Sequence, residues 1–92
     1  MVIHTILYHP AFVKRFQKLA QPWREQAIKT ERLFRINPLH PSLRLHSLKG
    51  LSDGLWSLSV NRSVRIIFKR MPNGDVVFVT IGKHDVYRLG LT

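Results

Sequence analysis

Four side chains in the second half of the chain, His46, Arg65, His84 and Tyr87, are of the types that phosphodiester cleavage needs. Around them stand Arg44, Lys49, Arg62, Lys83, Asp85 and Arg88. RNA carries its own nucleophile, the 2′-OH beside each phosphate. A protein that cuts it must take that proton, hold the charge of the phosphorane and protonate the leaving 5′-oxygen. Two groups that titrate near neutrality and one or two fixed cations suffice. Histidine is the type for acid and base. Arginine can grip two phosphate oxygens at once, so Arg65, assisted by Lys49, suits the charge. Tyr87 can stack on a base, as single-stranded RNA recognition often requires. Taken singly, each has a plainer reading: a surface histidine on a strand, a solvated arginine at an edge, Asp85 as a turn former.

Other chemistries are closed or poorly served. There is no cysteine, hence no disulfide framework, thiolate metal site or Cys nucleophile. The five glycines sit singly at turns, so no phosphate-cradling loop exists. The acidic residues, Glu25, Glu31, Asp53, Asp75 and Asp85, are scattered, whereas two-metal cleavage needs a carboxylate cluster. His46, His84 and Asp85 match no short metal-ligand spacing. No metal and no cofactor is expected. His4, His9 and His40 carry no functional reading, the first in a strand and the others beside prolines.

The whole chain leans toward a polyanion. Fifteen Lys+Arg against five Asp+Glu give a formal charge of +10 on 92 residues. Charge of one sign costs self-repulsion, which a merely solubilising surface does not require. Binding to something densely negative is its usual return. The length suits one domain, residues 1–92, with one modest core. The opening Met1–Tyr8 lacks a signal peptide's basic and apolar regions. No run approaches the length of a membrane span. With the lack of cysteine, this leads us to expect a cytoplasmic protein and no membrane.

The elements that must position the site follow from the patterning. Residues 2–8 are β-rich and read as a strand. Phe12, Phe16 and Leu19 mark one face of a helix opened by Pro10. Gln21-Pro22 should break it, and a second helix should run from about Trp23 to Arg35, ended by Asn37-Pro38. After the connector 37–42 the pattern is β. Leu43 and Leu45 alternate with Arg44 and His46, which would turn both polar residues away from the core. Strands are expected over Trp56–Val60 and Val64–Lys69, then a hairpin turn at Pro72-Asn73-Gly74-Asp75. The apolar run Val76–Ile81 is the expected central strand. The fold class is α+β, with an N-terminal strand and helical hairpin packed on a twisted, mainly antiparallel sheet. One sheet face is then left for work.

The series Leu45-His46-Ser47-Leu48-Lys49-Gly50, Gly54 to Val60, Val64-Arg65-Ile66-Ile67-Phe68 and Ile81-Gly82-Lys83-His84-Asp85-Val86-Tyr87 resembles the RelE/ParE superfamily of toxins from toxin–antitoxin systems. The resemblance spans nearly the whole chain and leans to the YafQ and YoeB branches. It implies a RelE-like fold and a metal-free endoribonuclease that cuts messenger RNA in the ribosomal A site. It also implies a cognate antitoxin as partner, beside the ribosome. His46 matches the position of a catalytic carboxylate or histidine, Arg65 the phosphate-binding arginine, and His84 the catalytic histidine. Tyr87 falls near the terminal aromatic, and Lys49 at a basic or amide position. His46 as base and His84 as acid, or the reverse, both fit. Two other readings stand: a ParE-like toxin that inhibits gyrase without nuclease activity, and a catalytically silent RNA- or ribosome-binding module.

Overall fold

A computed structural model describes residues 1–48 and 54–83. The chain runs β1 (Ile6–Tyr8), α1 (Pro10–Lys18), α2 (Gln21–Ile36), a 3-10 turn (Pro41–Leu43), β2 (His46–Ser47), β3 (Leu55–Ser59), β4 (Arg65–Arg70) and β5 (Val76–Gly82). The five strands form one sheet in the order β1-β5-β4-β3-β2. Among the described residues, only the β1–β5 pair is parallel. The class is α+β, with a mainly antiparallel sheet, as the patterning implied. No helix among the described residues is long and apolar enough to cross a membrane.

Local chemistry explains most element ends. Pro10 opens α1 and the His9 imidazole caps it, accepting from the Ala11 N–H at 3.0 Å through Nδ1. Arg15 and Lys18 lie in its last turn, where cations suit the helix dipole. Arg15 Nε also donates to the Ile81 carbonyl at 2.8 Å, tying α1 to β5. The second helix starts at Gln21, two residues before the expected Trp23. Pro22 does not break the chain there but occupies the first turn, where its missing N–H costs nothing. The break falls at Leu19 and Ala20 instead.

Ala27, Thr30 and Phe34 turn inward from α2. Phe34 packs on Phe68 with ring centroids 5.1 Å apart, and Phe12 on Phe78 at 5.3 Å. These rings, with Leu58, Ile66 and Ile81, centre the core between the helices and one sheet face. The other face carries a smaller cluster of Leu48, Leu55 and Ile67, with Val79 against it. That second face is therefore partly apolar, not a bare polar platform.

The structure departs from the patterning at several points. Val76–Ile81 is flanked by strands on both sides but is not the middle strand; β4 is, because β1 adds beyond β5. Strand parity also breaks in β5. Ile67 pairs with Thr80 but Phe68 pairs with Phe78, so Val79 is an extra residue. This bulge lets Phe78 and Ile81 both face the helices. Lastly, residues 43–46 are not a continuous strand. Pro41 and the His40 ring, which accepts from the Ser42 N–H at 3.1 Å, start a 3-10 turn that ends on Arg44 in the left-handed region. Pairing begins only at His46. The opening strand is likewise shorter than 2–8, with regular pairing confined to Ile6–Tyr8.

Candidate active site

The sheet register places His46 and Arg65 in two rows on the face away from the helices. His46 pairs with Ser57, Ser57 with Ile67, and Ile67 with Thr80. One row along, Ser59 pairs with Arg65 and Arg65 with Gly82. Cross-strand partners share a face, so His46 and Arg65 look to the same side. They are two strands and one row apart, about 12 Å between Cα atoms from standard strand spacings.

His46 is exposed on the edge strand β2, and its ring is oriented. Nδ1 lies 3.1 Å from the carbonyl oxygen of Arg44. A carbonyl can only accept, so Nδ1 carries the proton and donates. The neutral ring then leaves Nε2 unprotonated. His9 and His40 have the opposite arrangement, each accepting a backbone N–H at Nδ1. Their Nε2 atoms hold the proton. Of these three histidines, only His46 can accept a proton at Nε2 without giving up its present contact.

Arg65 is half-buried at the start of β4, and its Nη1 donates to the Ser59 hydroxyl. That contact uses one of five N–H donors and holds the guanidinium in place. Beside it lies a hollow of about 220 Å³ lined by Ser42, Arg44, Ser59, Asn61, Arg62 and Arg65. Arg44 and Arg62 are exposed at its rim. Among the described residues, none of the three arginines has a carboxylate partner. Sequence patterning placed Arg44 on a strand; its actual position, at the end of a 3-10 turn, depends on the turn chemistry of His40 and Pro41.

Lys83 takes a different direction. It follows Gly82, and its Nζ sits 5.0 Å from the centre of the Trp23 ring on the helix side. It therefore lies apart from the arginine hollow. Lys49, His84, Asp85, Tyr87 and Arg88 lie outside the described residues. Two residues that sequence reasoning passed over position the site. Ser59 orients Arg65. Asn61 locks the β3–β4 turn: its Oδ1 accepts from the N–H groups of Ser63 (2.7 Å) and Val64 (2.8 Å), and its Nδ2 donates to Gln26 of α2 at 2.7 Å. The Asn-Arg-Ser run was a readable signal for such a side-chain turn.

No protein-family profile and no curated protein matches the sequence. Solved structures do match the fold. A chain of the Escherichia coli DinJ–YafQ toxin–antitoxin complex superposes with a TM-score of 0.72 at 22% identity, over 92% of this chain and 97% of that one. The YoeB/ParE toxin from Agrobacterium tumefaciens gives 0.72 at 14% identity, over 88% and 99%. A chain of the RelE–RelB complex from Pyrococcus horikoshii OT3 gives 0.70 at 14%, over 90% and 96%. The fold is that of the RelE-type toxins. In this RelE-type fold the sheet brings His46 and Arg65 to one face, although the residues are 19 positions apart in the chain.

Proposed function

We propose that this chain is the toxin of a type II toxin–antitoxin system and acts as a metal-free, ribosome-dependent messenger-RNA endonuclease. The observation that carries the reading is the contact of His46 Nδ1 with the Arg44 carbonyl, on the same face as Arg65. His46 Nε2 takes the proton from a 2′-OH. The 2′-oxygen attacks the adjacent phosphorus, and the bond from phosphorus to the 5′-oxygen breaks. Arg65 holds the non-bridging oxygens as charge builds on them. His84 donates the proton to the departing oxygen, Lys49 adds charge and Tyr87 stacks on a base. The products are a 2′,3′-cyclic phosphate and a free 5′-hydroxyl.

The same reading places the protein in the cytoplasm, where messenger and ribosome meet. It supplies an antitoxin as partner, as in the matched DinJ–YafQ complex. Charge complementarity calls for an antitoxin that is acidic where it covers this face. Primer extension on messenger from a translating extract tests the reading. Wild type should leave new 5′-ends, and His84→Ala and His46→Ala should leave none. Equal growth arrest by the alanine variants, with translation continuing, sinks the nuclease assignment. DNA-damage signalling with toxicity retained in His46→Ala would point instead to gyrase.

A further inference from the structure

We propose that the hollow between the 3-10 turn and the β3–β4 turn is a second phosphate site, which takes a backbone phosphate of the RNA next to the one that is cut. The inference rests on the endonuclease reading and extends it from one phosphate to two.

The lining is the first reason. Arg44, Arg62 and Arg65 line one space of about 220 Å³ together with Ser42, Ser59 and Asn61, and among the described residues no acid lines it. Like charges so gathered repel one another, and an anion relieves that repulsion. The volume equals about seven waters at their liquid share, which admits a tetrahedral oxyanion with part of its hydration. Planar forks approaching from several sides match the spread charge of a phosphate.

The backbone is the second reason. Arg44 has φ 46° and ψ 47°, a left-handed conformation that costs an L side chain and that glycine adopts freely. Its N–H bond to the Pro41 carbonyl, at 3.1 Å, keeps it there. The strained position carries an arginine that lines the hollow, and its carbonyl holds the His46 ring. One residue thus couples the second phosphate to the base. On the opposite wall, Asn61 fixes the turn that presents Arg62. Both walls are set before a ligand arrives.

An acidic peptide is the competing occupant. The lining named above offers no apolar socket for the anchor residue on which peptide recognition usually depends. A nucleic-acid phosphate needs none.

The test uses a short RNA with a 2′-deoxy sugar at the cut position, so that it cannot be cleaved. A second copy carries a neutral methylphosphonate at the adjacent phosphate. Binding to the isotope-labelled protein is read from the arginine Nε–Hε NMR signals. Wild type should lose about tenfold in affinity when that phosphate is neutralised, the worth of one charge-assisted contact. Arg62→Ala should lose a similar factor on the charged RNA and nothing further on the neutral one. Arg44→Gly should behave alike, while melting at a higher temperature because the left-handed strain is gone.

Equal losses on both RNAs in the two variants overturn the site, as does silence of the three arginine signals throughout. Displacement of the RNA by low-millimolar inorganic phosphate would assign the hollow to a free anion and also overturn it. So would variants that bind both RNAs normally but release an acidic antitoxin peptide. A chain that shows the coupling yet leaves messenger uncut in an extract keeps the phosphate site and loses the endonuclease reading. A chain that cuts without the coupling does the reverse.

Discussion

On the proposed reading, His46 and Arg65 divide work that a residue type alone cannot divide. The sequence offers five histidines, and their placement, together with the family resemblance, singled out His46 and His84. What no sequence shows is which ring nitrogen is free, because that depends on the carbonyl of Arg44 two residues back. His46→Ala should lower cleavage by about 10²- to 10⁴-fold, the usual worth of a general base. Its melting temperature should stay near that of wild type, since the side chain is exposed. Primer extension beside a thermal melt separates the two. A pH effect belongs to a residue far from the site. Burial raises the ionisation of Tyr8 above its ordinary value, and the Glu31 carboxylate that accepts its hydroxyl proton adds to the shift, against Arg35. The folded state then holds that proton more tightly than the unfolded chain. Its contribution to stability is complete below the unfolded pKa, near 10, and is lost as pH rises through the higher folded value. Tyr8→Phe should remove that share of the alkaline loss, seen in urea midpoints compared at neutral and strongly alkaline pH.

At the scale of elements, periodicity revealed both helices and the three long strands, because burial on one face imprints itself on spacing. It did not reveal the 3-10 turn, where side-chain capping and a proline outweigh the Leu43/Leu45 alternation. Nor did it reveal the β5 bulge, since a continuous apolar run looks the same with either parity. The caps were hidden for another reason. Histidine is not a usual capping residue, yet His9 satisfies an otherwise unpaired N–H of α1. His9→Ala should cost about 1 kcal/mol, and His9→Ser should recover most of it, measured by urea unfolding. Phe34→Ala is the harsher change. It empties a fully buried site between Phe68 and Phe78 and should cost about 3–5 kcal/mol. Against a total stability of about 5–15 kcal/mol, that loss leaves a marginal domain.

For the whole molecule, the question is what the net charge of +10 does. Seven of the fifteen basic residues precede position 41 and eight follow it, so the charge is spread along the chain. Lys29 and Arg32 are exposed on α2, on the far side of the sheet from His46. On the proposed reading they lie away from an RNA held at His46 and Arg65, and act on it only through their field. Neutralising Lys29 and Arg32 with glutamine should slow association at low salt and leave the salt dependence of equilibrium binding almost unchanged. Neutralising Arg62 or Arg65 should instead reduce the slope of log affinity against log salt by about 0.7 each, one released counterion per phosphate contact on a single strand. Stopped-flow rates and salt titrations on the same non-cleavable RNA distinguish the two effects. Equal slopes in all four variants would mean that the arginine hollow is only part of a diffuse positive surface.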